Sequence, residues 1–133
     1  MSDYIELARR AVACKGWRWM PGMLTREEIV PPAITLGWDP ARVLHADEGD
    51  TPRVCTVFGK VRDIHDTALP DLTDPATLGC LLALVREAWE GQTLCACRHP
   101  CGWLIGSPQH PDYLGDIYDT EAAALVAALE AAP

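Results

Sequence analysis

Apolar residues recur every three to four positions in three stretches of the chain, and several shorter stretches are rich in β-forming residues. The first helical stretch runs from Asp3 to about Gly16. Tyr4, Leu7, Ala8, Ala11 and Cys14 fall on one side, and Arg9, Arg10 and Lys15 on the other. Ser2 or Asp3 supplies an N-cap and Gly16 a C-terminal stop. In the second, Asp74 is an N-cap and Pro75 stands where its missing N–H costs nothing. Leu78, Leu81, Leu82, Val85, Ala88 and Trp89 then repeat at helical spacing as far as Gly91. The third runs from a Thr120 cap over Glu121 to Ala131, with Leu125, Val126 and Leu129 on its apolar face. Glu121 in its first turn complements the helix dipole.

The segments between read as strands and turns. Ala33 to Trp38 is one strand. Arg42 to Ala46 and Arg53 to Phe58 flank the turn signal Glu48-Gly49-Asp50-Thr51-Pro52 and predict a hairpin. Gln92 to Arg98 and Trp103 to Ser107, joined by His99-Pro100-Cys101-Gly102, predict a second. Asp63 to Asp71 and residues 108–119 carry no clean period and read as loops. The two-tryptophan segment Gly16 to Met23, broken by Pro21 and Gly22, reads as a corner packed on the core. Helix, hairpin, helix, hairpin, helix is the order of an α+β fold: an antiparallel sheet of hairpins with about three helices packed on it. Tight turns between strands argue against a doubly wound parallel sheet.

A length of 133 residues predicts a single domain over 1–133, large enough to bury a core without metal or disulfide. No apolar run approaches the roughly 20 residues of a membrane span. The opening Met1-Ser2-Asp3-Tyr4 does not resemble a secretory signal, so the expected location is the cytoplasm.

Charge refines this picture. The net charge is −8, unevenly spread. Residues 1–26 hold five basic residues against two acidic ones, and residues 27–133 hold six against seventeen. From His99 onward there are five acids and no Lys or Arg. A field of this sign repels phosphate backbones and anionic lipid, so neither nucleic acid nor membrane is an expected partner. A basic protein surface is. Asp112, Tyr113, Asp116, Tyr118 and Asp119 form an acidic aromatic stretch suited to it. Trp17 and Trp19 are candidate anchors, because in an extended segment both point one way and Arg18 the other.

Three of the six cysteines, Cys95, Cys97 and Cys101, fall within seven residues. With His99 or His110 they offer four soft ligands, the number a structural zinc site requires. The spacing is irregular for zinc. Two small buried hydrophobes, Cys95 and Cys97, on one strand face explain the pattern better. Zinc is therefore the one cofactor the sequence admits, and none is required. No Gly-rich oxyanion turn adjoins any cysteine, and no P-loop or GxGxxG is present. Gly79, inside the second helix, reads as a close-packing position.

The run Ala8-Arg9-Arg10-Ala11-Val12 followed by Gly16-Trp17-Arg18-Trp19-Met20-Pro21-Gly22-Met23 resembles the opening of small phage and prophage proteins of Gram-negative bacteria. Leu69 to Trp89 is similar to their central helix, and Thr120 to Pro133 to their C-terminal helix. The arrangement also resembles the phage α-β-α sandwich domain; the strands carrying the cysteines depart from it. The resemblance implies no catalytic residues. It implies a small mobile-element protein that acts by binding a host protein. Together with the size, the charge of −8 and the absence of catalytic motifs, it leads to the expectation of a non-enzymatic accessory protein in the host cytoplasm that occupies the basic nucleic-acid channel of a defence complex, in the manner of an anti-CRISPR protein. The alternative is a small zinc-binding structural module built on Cys95, Cys97 and Cys101.

Overall fold

A computed structural model describes residues 2–27, 40–45, 49, 51–90, 93–107 and 110–133, with the side chains of all these except 2, 3, 27, 107 and 110–115. The order is α1 (Ser2–Val12), β1 (Leu24–Glu27), β2 (Ala41–His45), β3 (Arg53–Thr56), β4 (Val61–Asp63), β5 (Ala68–Pro70), α2 (Pro75–Ala88), β6 (Cys95–His99), β7 (Gly102–Ser107), β8 (His110–Tyr118) and α3 (Glu121–Glu130). The fold is α+β, with three helices and antiparallel strand pairing among the described residues. The strands form two sheets, one of five strands ordered β4-β3-β2-β1-β5 and one of three ordered β6-β7-β8.

Both expected hairpins are present, β2–β3 and β6–β7. Two segments expected to be loops are strands instead. Residues 68–70 form β5, which pairs with β1 at the sheet edge, where Pro70 needs no N–H for a second neighbour. Residues 110–118 form β8, whose register on β7 shifts twice. Such irregularity erases the two-residue alternation by which a strand is recognised. The expected strand Ala33 to Trp38 lies outside the described residues.

α3 is the central helix. Ala122, Ala124, Leu125, Val126, Ala128 and Leu129 are all buried, so most of its circumference is covered. Its many alanines allow α1, α2, β7 and β8 to approach it closely. One apolar cluster joins it to Ala8 and Ala11 of α1, Leu81, Leu84 and Val85 of α2, Val43 and Val54 of the larger sheet, and Ile105 of the smaller. The indole Nε1 of Trp89 donates to the carbonyl of Ala128 at 2.8 Å, satisfying an acceptor in the last turn of α3.

The larger sheet is tied to the N-terminus of α2 by polar groups. Asp74 accepts from the backbone N–H of Thr77 (3.0 Å) and from its hydroxyl (2.9 Å), as an N-cap does. The Thr77 hydroxyl, fully buried, accepts in turn from the N–H of Leu24 on β1. Arg42 of β2 reaches the same carboxylate.

Glycine placement departs from expectation at two points. α1 ends at Val12, and Gly16 lies four residues on, inside the turn that Trp17 N–H closes on Cys14 O at 3.1 Å. A Cβ on Gly16 would lie 3.2 Å from Leu129 Cδ1, so this glycine serves close packing rather than a left-handed cap. Gly79 has no neighbour within 4 Å of a built Cβ, so the close packing expected there is not found. Pro21 and Gly22 do form a corner: Met23 N–H donates to Met20 O at 3.2 Å, and Gly22 has φ +97°, as the third position of a type II turn requires.

Candidate protein-binding surface and cysteine cluster

Among the described residues, the three most exposed large apolar side chains cluster at the β3–β4 hairpin. Phe58 is 83% exposed, Val57 66% and Val61 47%. Thr56 fixes the turn between the strands. Its N–H donates to Lys60 O at 2.9 Å, its hydroxyl accepts from Lys60 N–H at 3.1 Å, and its carbonyl accepts from Gly59 N–H at 2.9 Å. Gly59 has φ +78°, which lets the chain turn back after Phe58. Phe58 therefore stands at the tip of a pinned turn, and its exposure follows from the turn geometry.

The hairpin also reverses the local charge. Residues 53–63 hold Arg53, Lys60 and Arg62 against one acid, Asp63, in a chain of net charge −8. Arg53 pairs with Asp63 at 3.7 Å across the strands. Lys60 is exposed beside the tip. β4 is an edge strand, yet a poor template for a further strand. It has three residues, and Arg62 Nη1 donates to the carbonyl of Asp63 at 3.2 Å. The hairpin thus presents its apolar tip more readily than its backbone. The sequence pattern read Arg53 to Phe58 as strand and passed over this site. The available signal was an apolar pair directly before a glycine in a run without acids.

The anticipated anchors lie in the segment between α1 and β1. Trp17 and Trp19 do share a side, with ring centroids 5.3 Å apart and planes at 80°. Both are half-buried and pack against the core cluster. Arg18 points away and pairs with Glu87 of α2. Both indoles thus stand at the core margin, with part of each residue exposed. Of the acidic stretch, Asp116 and Asp119 are exposed, whereas Tyr118 is half-buried against the core. The side chains of Asp112 and Tyr113 lie outside the described residues.

Cys95 and Cys97 share one face of β6, and their Sγ atoms are 3.2 Å apart. The Cys95 thiol donates to Gly106 O at 3.4 Å. The hydrogen bond to Cys95, followed by burial, pushes the Cys97 thiol above its ordinary pKa. Cys101 is exposed in the turn beyond, where its backbone N–H donates to His99 Nδ1 at 3.1 Å. The side chain of His110 lies outside the described residues. Among the described residues no three His, Cys, Asp or Glu side chains converge as a metal site would require. All six cysteines are thiols. Cys14 and Cys80, far from this cluster, have pKa values raised chiefly by burial.

No known protein family, curated protein or solved structure matches the chain. Among the described residues no helix is long and apolar enough to cross a membrane.

Proposed function

We propose that the protein is a stoichiometric protein-binding module whose principal contact is the β3–β4 hairpin. The observation that carries this reading is the 83% exposure of Phe58 at the tip of a turn held by three hydrogen bonds. A preorganised aromatic tip loses little conformational entropy on docking, and such anchors dominate interface energies. Val57 and Val61 extend the apolar contact, and Lys60 supplies a positive rim. The complementary partner is an apolar pocket edged with acids. The resemblance to phage and prophage proteins supports a host protein as that partner, and inhibition of a bacterial defence complex is the most specific form of the proposal.

A second reading rests on Asp116 and Asp119, which stand exposed around the end of β8 in a stretch of sequence without Lys or Arg. They suit a basic surface, such as a nucleic-acid channel. Salt separates the two. A contact centred on Phe58 persists when ionic strength rises, whereas one centred on these acids weakens steeply.

The test is capture of partners from a Gram-negative host lysate by tagged wild-type protein, by Phe58→Asp and by the double variant Asp116→Asn/Asp119→Asn, at low and high salt. A stoichiometric partner lost only with Phe58→Asp supports the hairpin. A partner lost only with the acidic variant, and at high salt, supports the second reading. Identical capture by all three proteins overturns both.

A further inference from the structure

Independently of the hairpin, Cys95 and Cys97 are a preorganised pair of sulfur ligands. They stand two residues apart on a strand, so the pleat aims both side chains to the same face. The β7 residues opposite them are Gly106, which has no side chain, and Leu104, which is buried. The described contacts of the two thiols are each other and the backbone carbonyls of Gly106 and Cys95. The pair is half-buried, within reach of a small reagent.

The separation decides what such a pair can hold. With metal–sulfur bonds of about 2.3 Å, sulfurs 3.2 Å apart subtend an angle of about 90° at a bound centre. A linear two-coordinate ion such as Cu(I) needs its sulfurs on opposite sides, which this strand forbids. Zinc prefers a wider tetrahedral angle and needs two further ligands, and no third described group joins the pair. A trivalent arsenic centre keeps a lone pair and takes its bonds close to a right angle.

We infer that Cys95 and Cys97 form a bidentate site for a trivalent, thiol-seeking metalloid of the arsenical class. The reaction with an arsenoso compound, R–As=O, balances without an oxidant. Two S–H bonds and the arsenic–oxygen double bond break, two As–S bonds form, and both protons leave with the oxygen as one water. Arsenic stays trivalent. The product is neutral, which suits a half-buried strand face with no described counter-charge. The attacking form is the thiolate, so the raised pKa of Cys97 slows formation of its As–S bond and leaves the balance unchanged.

The experiment uses phenylarsine oxide on the folded protein, read by native mass spectrometry and by mapping of the protected thiols. One equivalent is expected, with Cys95 and Cys97 protected together. The adduct should survive excess glutathione, a monothiol, and be released by 2,3-dimercaptopropanol. Closing a second bond within one chain favours the chelate over a single-thiol contact by on the order of 100-fold. Cys95→Ser and Cys97→Ser should each lose that advantage, and Cys101→Ser should keep it. Thermal melts of each variant show whether it is folded, and mapping on wild-type protein gives the answer even if one is not. Protection of a pair that includes Cys101, or an adduct that glutathione removes from the wild-type protein, overturns the inference.

Discussion

Arg42 on β2 and Asp74 at the head of α2 meet end-on, with Nη1 to Oδ2 at 2.7 Å and Nη2 to Oδ1 at 3.2 Å. The carboxylate that caps the helix is thus the one that anchors the sheet. The Arg42 hydrogen bond is the main cause holding the Asp74 carboxyl below its ordinary pKa, with those from Thr77 adding to it. A depressed folded-state pKa gives stability that is present above the unfolded value and lost as pH falls through the folded one. Wild-type protein should therefore weaken on acidification below about pH 4. Asp74→Asn keeps a capping oxygen without the charge and should lose that component of the acid dependence. Asp74→Ala removes the cap as well and should cost about 1–2 kcal/mol at neutral pH. Urea melts of the three proteins at several pH values check this. An unchanged acid slope in Asp74→Asn would remove the role given to the Arg42 pair.

Glycine is exposed where the helix does not need it, and a charged residue bends where glycine would fit. Gly79→Ala meets nothing within 4 Å and should stabilise by about 0.5–1 kcal/mol through higher helix propensity. Glu90, just past α2, has φ +51°, so Glu90→Gly should also stabilise, by about 1 kcal/mol. Gly102 is the opposite case. Its φ is +148°, and a Cβ there would strike the carbonyl of Tyr118. Gly102→Ala should cost more than about 2 kcal/mol or displace β8 from β7. Thermal melts of the three variants read all these effects.

Trp89 joins two helices through one hydrogen bond to Ala128 O. Trp89→Phe keeps a ring but leaves that carbonyl without its donor, so it should destabilise by about 1–2 kcal/mol. Amide hydrogen exchange should rise first in the last turn of α3. Uniform loss of protection across the chain would place the role of Trp89 in general packing instead.

Much of this fold was legible because local chemistry and tertiary contacts agree. Asp74-Pro75 announced α2, Thr120 announced α3, and both hairpins lay where turn residues separated β-forming runs. The misses have physical causes. β5 is three residues long and held by β1, so it has no period of its own. β8 changes register twice, which scrambles its alternation. Gly16 and Gly79 depart from their expected roles because close approach depends on which helix lies opposite, information absent from local sequence. At the candidate sites, the Cys95/Cys97 face was readable from their spacing. The exposure of Phe58 was not, because strand propensity hid a turn that Thr56 and Gly59 impose.

Phe58→Asp makes the most direct test of the binding proposal. Phe58 is almost fully exposed, so the substitution should change stability by less than about 0.5 kcal/mol. Any loss of binding then reports the surface rather than the fold. The decisive measurement is the affinity of wild-type protein and Phe58→Asp for a partner captured from host lysate, by calorimetry at two salt concentrations. The account predicts a loss on the order of 30-fold or more, as for a buried aromatic anchor, at both salt concentrations and with matched melting curves. Equal affinities for the two proteins would contradict it.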